Sequence, residues 1–197
     1  MGVRNPEDCQ KKIEKNIERP LWKDRIYYER CDVSDMESVK EFAGKVQGKF
    51  KSINLLINNG KLHLKLNEQL RSIKPYFKAG ILSAPQEITK DGFISQMAVN
   101  YFGHFLLSHL LMPQLNAGSS EGQHSRIVNL GSVVHRIGEI RYDDLNYKNY
   151  YRAGMAYADS KLALVMFTKH MKNYCEENSI RVQVHAAHPG KYYFQVF

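Results

Sequence analysis

Tyr157 and Lys161 lie four residues apart, and Ser132 stands at the end of the strand-like run Arg126-Ile127-Val128-Asn129-Leu130. If Tyr157 opens a helix, that spacing puts the phenol and the ammonium on one face, a turn apart. A phenol is a poor acid or base at its ordinary pKa of about 10; a neighbouring ammonium favours the phenolate and draws the pKa towards the working range. Ser132 can then donate a hydrogen bond to the same substrate oxygen. The set suits hydride transfer between a nicotinamide cofactor and a carbonyl or alcohol, with Tyr157 exchanging the proton. A Tyr–Lys pair alone says little in a chain with 12 Tyr and 28 Lys+Arg. Its weight comes from context: the serine at a strand end, the run Ala156-Tyr157-Ala158-Asp159-Ser160-Lys161, and the helical spacing of Leu162, Leu164, Val165, Phe167 and Met171 up to about Asn178.

The elements that must position these groups follow from pattern. Residues 1–6 read as a strand end and a turn before a charged helix. Residues 25–33 are β-rich and end in Asp32-Val33; Ser34 and Glu37 form a capping box for a helix over 35–49. The apolar run 52–59 suits a central parallel strand covered on both faces. Residues 91–116 carry a long helix with one largely buried side, ended by Pro113 and the loop Asn116-Ala117-Gly118-Ser119-Ser120. Residues 180–190 give the last strand. Strand and helix signals alternate without internal repeats or an interdomain linker, which predicts an α/β fold, a Rossmann-like doubly wound parallel sheet, as a single domain over 1–197 with its ligand crevice at the strand C-terminal ends.

Asp32, Asn58-Asn59, Asn100, Ser132, Tyr157, Lys161 and Pro189-Gly190 occur in an order that closely resembles the short-chain dehydrogenase/reductase family, in particular its retinol dehydrogenase-like branch. Apart from the departures below, the resemblance covers nearly the whole chain. It implies an NADP cofactor, with NAD possible, and a retinoid, steroid or other lipid-like alcohol or carbonyl as substrate. It implies catalytic roles for four residues: Tyr157 as acid/base, Lys161 holding the ribose and tuning Tyr157, Ser132 orienting the oxygen, and Asn100 supporting a water relay. It also implies that Arg4 meets the 2′-phosphate, that Asp32 and the adjacent Val33 meet the adenine, that Asn58, Asn59, Ala79 and Gly80 form a cofactor-side turn, and that Pro189-Gly190 lies near the nicotinamide. A homodimer through the helices of Asn100 and Tyr157 is a further expectation from the resemblance.

The chain departs from the family pattern in four places. Arg4-Asn5 matches the segment after the second strand, and no Gly-x-x-x-Gly-x-Gly or Gly-x-Gly-x-x-Gly occurs, so the first βαβ glycine-rich element is expected to be missing. Residues 60–78 split Asn58-Asn59 from Ala79-Gly80; removing them would restore an unbroken family segment. This basic insertion holds Leu66, Leu70 and Ile73 at helical spacing before Pro75, and is expected to form a protease-sensitive arm. Gly131 stands where the family usually has a serine. Residues 191–197 form a divergent tail. The resulting expectation is an incomplete domain that binds NADP(H) poorly; the alternative to an active oxidoreductase is an impaired, truncated or alternatively spliced member that acts by binding a partner.

Composition narrows the remaining classes. With 43% hydrophobic residues the chain can bury one sizeable core. Cys9, Cys31 and Cys175 are odd in number and widely spaced, and the eight His show no ligand pattern, so neither a disulfide framework nor a metal site is predicted. There is no signal-peptide core and no apolar run of about 18 residues, which predicts no membrane segment in the chain and a cytoplasmic location by default. Half of the net charge of +8 sits in residues 60–78, with five Lys/Arg against one Glu. No aromatic-basic platform accompanies it, which argues against nucleic-acid binding.

Overall fold

The computed structural model describes residues 1–16, 26–59 and 85–188. Strands and helices alternate along them: β1 (Gly2–Val3), α1 (Pro6–Asn16), β2 (Glu29–Arg30), α2 (Met36–Lys49), β3 (Leu55–Asn58), α3 (Ser95–Met97), a π-wound turn (Ala98–Phe102), α4 (Gly103–Leu110), α5 (Met112–Ala117), β4 (Ser125–Leu130), a 3-10 turn (Val133–Ile137), α6 (Ala153–Glu177) and β5 (Val182–Ala187). The insertion over 60–78, the tail over 191–197, and Ala79, Gly80, Pro189 and Gly190 lie outside the described residues.

Every strand pairing is parallel, giving a Rossmann-like α/β arrangement in which the described strands form two sheets. β1 pairs with β2 through Gly2↔Glu29 and Val3↔Arg30. β3, β4 and β5 form the second sheet in that order, with Asn58 opposite Asn129 and Leu130 opposite Ala187, so their C-terminal ends converge. One face of this sheet is covered: Ile127, Val182 and Val184 are buried with Leu115 of α5 and Leu164, Phe167 and Met171 of α6 in the main core. On the other face Leu55 and Ile57 are 51% and 55% exposed, and among the described strands β3 lies at the edge of its sheet and not in the central place its apolar run suits.

The helices form where burial and capping agree. In α2, Val39, Phe42, Ala43 and Val46 are buried at spacings of three and four, the stripe a core-facing helix needs. Its cap is Asp35, whose carboxylate accepts from Glu37 N and Ser38 N at 3.0 and 3.1 Å, and not the expected Ser34. Ser34 instead donates to Asp32, which frees Asp35 to cap and to pair with Lys90 at 2.8 Å. The long helix expected from residue 91 begins at Ser95, because Gly92 adopts φ 82° in a tight turn and Ile94 N is taken by Asn146 Oδ1. Pro113 does not end a helix; it lies in the first turn of α5, where its missing N–H has no partner to lose. Gly103 is where α4 meets the β2–α2 turn: a Cβ there would sit 2.2 Å from the Val33 carbonyl oxygen.

A buried polar ladder ties the sheet to the helices. Asn58 Nδ2 donates to Asn129 Oδ1 at 2.7 Å and to Ser108 Oγ at 3.0 Å, and Asn129 Nδ2 donates to Thr168 Oγ1 at 2.9 Å. Asn129→Ala strands one N–H of Asn58 and an acceptor on Thr168, and each buried group left unpaired costs about 1–3 kcal/mol. The variant's urea midpoint is expected to fall accordingly; an unchanged midpoint would show that water replaces the amide.

Candidate active site

Ser132, Tyr157 and Lys161 are brought together at the C-terminal end of β4. Ser132 follows that strand with extended backbone, φ −152° and ψ 149°, and is 8% exposed. Tyr157, 4% exposed, lies in the second turn of α6, which starts at Ala153 and not at the tyrosine as expected; its phenol is near enough to the Ser132 side chain for the hydroxyl to lower its pKa. Lys161 is 3% exposed; its Nζ donates to the Leu130 carbonyl at 2.8 Å and stands 5.6 Å from the centroid of the Tyr157 ring.

The electrostatics differ from the expected pairing of phenolate and ammonium. Burial pushes the Tyr157 phenol above its ordinary value, and the Ser132 hydroxyl only offsets part of that. Burial also pushes the Lys161 ammonium down to about 8. The reason is geometric: the ammonium is turned to the Leu130 carbonyl, and desolvation outweighs attraction when a charge is removed from water without a counter-charge. At pH 7 this places a protonated phenol beside an ammonium that is still mostly charged.

Asn100 sits in the π-wound turn, 1% exposed, and its Nδ2 donates to Ser160 Oγ at 2.9 Å; Ser160 Oγ in turn donates to the Tyr157 carbonyl at 2.7 Å. A π turn offsets the backbone ladder and leaves carbonyls free for other partners, a device common at functional sites. Ser160 is a link the sequence reading missed, although its place three residues after Tyr157 is the spacing at which a serine bonds back along its helix. His104, one turn beyond Asn100, was also missed. It is held neutral, its pKa pushed down to about 4 by burial and by the charge of Lys161.

The other candidate residues are spread over both sheets. Arg4 is exposed just after β1. Asp32, half-buried, accepts at Oδ1 from both Ser34 N (3.0 Å) and Ser34 Oγ (2.6 Å), so much of its carboxylate serves the local turn. Val33 abuts Gly103. Asn58 closes β3 inside the polar ladder, with its Oδ1 buried and unpartnered, whereas Asn59 is exposed.

These residues fit the ribose-nicotinamide end of the dinucleotide that the resemblance implies. The Lys161 ammonium has three N–H donors and gives one to Leu130, which leaves hydrogen-bonding capacity in a buried position suited to ribose hydroxyls. Lys161 and Asn58 would hold that end, and Arg4 would meet the 2′-phosphate. Among the described residues no group of three or more His, Cys, Asp or Glu is placed to hold a metal ion, and no helix is long and apolar enough to cross a membrane.

Known proteins resemble this chain in sequence and in fold. A family model described as short chain dehydrogenase matches residues 2–193. Human polyprenol dehydrogenase is 32% identical over 186 residues, covering 94% of this chain and 51% of the relative. Mouse retinol dehydrogenase 13 is 35% identical over 191 residues, covering 96% and 49%. The chain thus spans about half the length of the curated relatives it matches. Among solved structures, a protein of Mycobacterium paratuberculosis superposes with TM-score 0.73 at 28% identity, covering 96% of this chain and 57% of that one. NADPH-bound carbonyl reductase from chicken fatty liver superposes with TM-score 0.61 at 25% identity, covering 96% and 66%.

Proposed function

Because this chain belongs to the short-chain dehydrogenase family, on the retinol dehydrogenase-like side, we propose that it is an oxidoreductase that uses NADP(H) to interconvert a lipid-like alcohol and its carbonyl. The observation that carries the proposal is the buried cluster of Ser132, Tyr157 and Lys161 at the convergent ends of β3, β4 and β5, with Asn100 linked to the tyrosine's backbone through Ser160. When bound, the nicotinamide supplies or accepts hydride. Tyr157 gives its phenolic proton to the developing alkoxide, and Ser132 donates to the same oxygen, fixing it against the phenol. Lys161, anchored on the Leu130 carbonyl, holds the ribose with its remaining N–H donors. With its phenol protonated, Tyr157 starts in the acid form that carbonyl reduction needs, so reduction is the direction to assay first. NADP over NAD is supported by Arg4 after β1 and by the NADPH seen in the chicken reductase. A lipid-like substrate is suggested by the retinol and polyprenol dehydrogenases among the relatives. Pairing of two copies through the helices of Asn100 and Tyr157 belongs to the same proposal.

A second reading rests on the split of Asn58-Asn59 from Ala79-Gly80 by the basic residues 60–78. There the chain binds NADP(H) weakly and acts by holding a partner. Titration of the purified chain with NADPH, followed by nicotinamide fluorescence and thermal shift, separates the two. Saturable binding together with reduction of retinal or another long-chain aldehyde supports the oxidoreductase; no binding and no turnover would overturn it in favour of the second reading.

A further inference from the structure

Asp159 lies between Tyr157 and Lys161 on α6, with a side chain 3% exposed. Its Oδ1 accepts from Glu139 N at 2.7 Å; its Oδ2 accepts from Arg141 Nη1 and from the Tyr147 hydroxyl, each at 2.7 Å. All three donors belong to the segment that leaves Ser132 and returns as α6. The route from Ser132 to the first donor is short and bonded throughout. The Ser132 carbonyl accepts from His135 N at 3.2 Å and from its Nδ1 at 2.6 Å, and the His135 carbonyl accepts from Gly138 N at 3.2 Å. At Gly138 the segment presses on α6 itself, since a Cβ there would stand 2.6 Å from the Ala158 carbonyl oxygen.

The far end of the segment is held just as firmly. Tyr147 adopts φ 57°, a backbone conformation a bulky side chain occupies only when its surroundings impose it. Those surroundings are Asp159 on its hydroxyl and Gln86 Nε2 on its carbonyl at 2.8 Å. Arg141 spans Asp159 and Glu139, with the latter at 3.0 Å.

We propose that Asp159 is a positioning residue: by clamping Glu139, Arg141 and Tyr147 onto α6 it fixes the 3-10 turn after Ser132, and so holds the serine hydroxyl against the Tyr157 phenol. This rests on the catalytic reading of Ser132 and Tyr157, but the clamp itself is testable without turnover. The full chain is labelled with ¹³Cζ-tyrosine, the Tyr157 signal is assigned with Tyr157→Phe, and wild type is compared with Asp159→Asn and Asp159→Ala. Leu115→Ala serves as the control; it removes a core side chain from α5, which abuts the start of β3 through Ile53 and Gln114, at the sheet end opposite the site. In both Asp159 variants the Tyr157 resonance should move and amides 133–141 should exchange about tenfold faster or more, the effect of losing one charge-assisted hydrogen bond. The control, though less stable, should leave the resonance in place. Asp159→Asn keeps one acceptor oxygen and should shift the signal less than Asp159→Ala. An unmoved Tyr157 signal in both variants, or equal movement in the control, would overturn the proposal. If wild type reduces no carbonyl with NADPH while the shifts occur, the oxidoreductase reading falls and the clamp stands. If it does turn over, Asp159→Ala should lower kcat by about 10²-fold with little change in KM, since misplacing a catalytic group costs that much without weakening substrate binding.

Discussion

Tyr157→Phe is expected to lower kcat for NADPH-dependent carbonyl reduction by about 10²–10⁴-fold, the contribution of a positioned general acid. The substitution keeps the ring and removes only the hydroxyl, so the buried contacts around a side chain that is 4% exposed persist. At most the folded state loses one neutral hydrogen-bonding contact with Ser132, and such a contact contributes about 1 kcal/mol, so the melting temperature should move little. This pairing of a large kinetic loss with a small thermal change separates an acid from a packing residue. Steady-state kinetics at saturating NADPH beside a thermal melt supply both numbers, and turnover within a factor of a few of wild type would remove Tyr157 from the mechanism.

Lys161→Met should also abolish most activity, by about 10²–10³-fold, because a preorganised charge is lost from the site. Its effect on stability is expected to run the other way. The folded-state pKa of about 8 lies below the ordinary lysine value of 10.5, so burying the ammonium opposes folding at pH 7. Between pH 8 and 10.5 the unfolded chain holds a proton that the folded chain has released, and stability therefore rises with pH across that window. The span corresponds to about 3 kcal/mol. Other titrating groups are shared by both proteins and cancel in the difference. Cofactor-free Lys161→Met should thus be more stable than wild type at pH 7, with the gap narrowing above pH 8. Urea denaturation at pH 7, 9 and 10 measures it, and a gap independent of pH would mean that the ammonium stays solvated.

Much of the candidate site is legible along the chain because its parts are local. Tyr157 and Lys161 lie one turn apart on one helix, and any sequence that makes 153–177 helical places them together. Ser132 follows a run of β-rich residues and so comes to rest at a strand end. Asn100 is legible only through the family resemblance, since an Asn within an apolar helical stretch says little by itself. Where sequence reading missed, a competing local interaction had won. Ser34 could have capped α2, but Asp32 took its hydroxyl and Asp35 capped instead. The helix expected from residue 91 starts only at Ser95, because Gly92 turns the chain and the Ile94 N–H is taken by Asn146.

The sequence by itself determined the alternation of parallel strands and helices, the family, and the identity of the reactive side chains, because periodicity and short spacing act within a few residues. The tertiary structure decided their protonation and their aim. Whether Lys161 faces the phenol or the Leu130 carbonyl, whether Asn58 meets Asn129 across two strands, and whether Asp159 is a solvated charge or a buried clamp all depend on partners far away in the chain. A buried polar group takes its pKa and its orientation from desolvation and from the one or two atoms within hydrogen-bond reach. Those atoms become neighbours only when α6 packs onto β4.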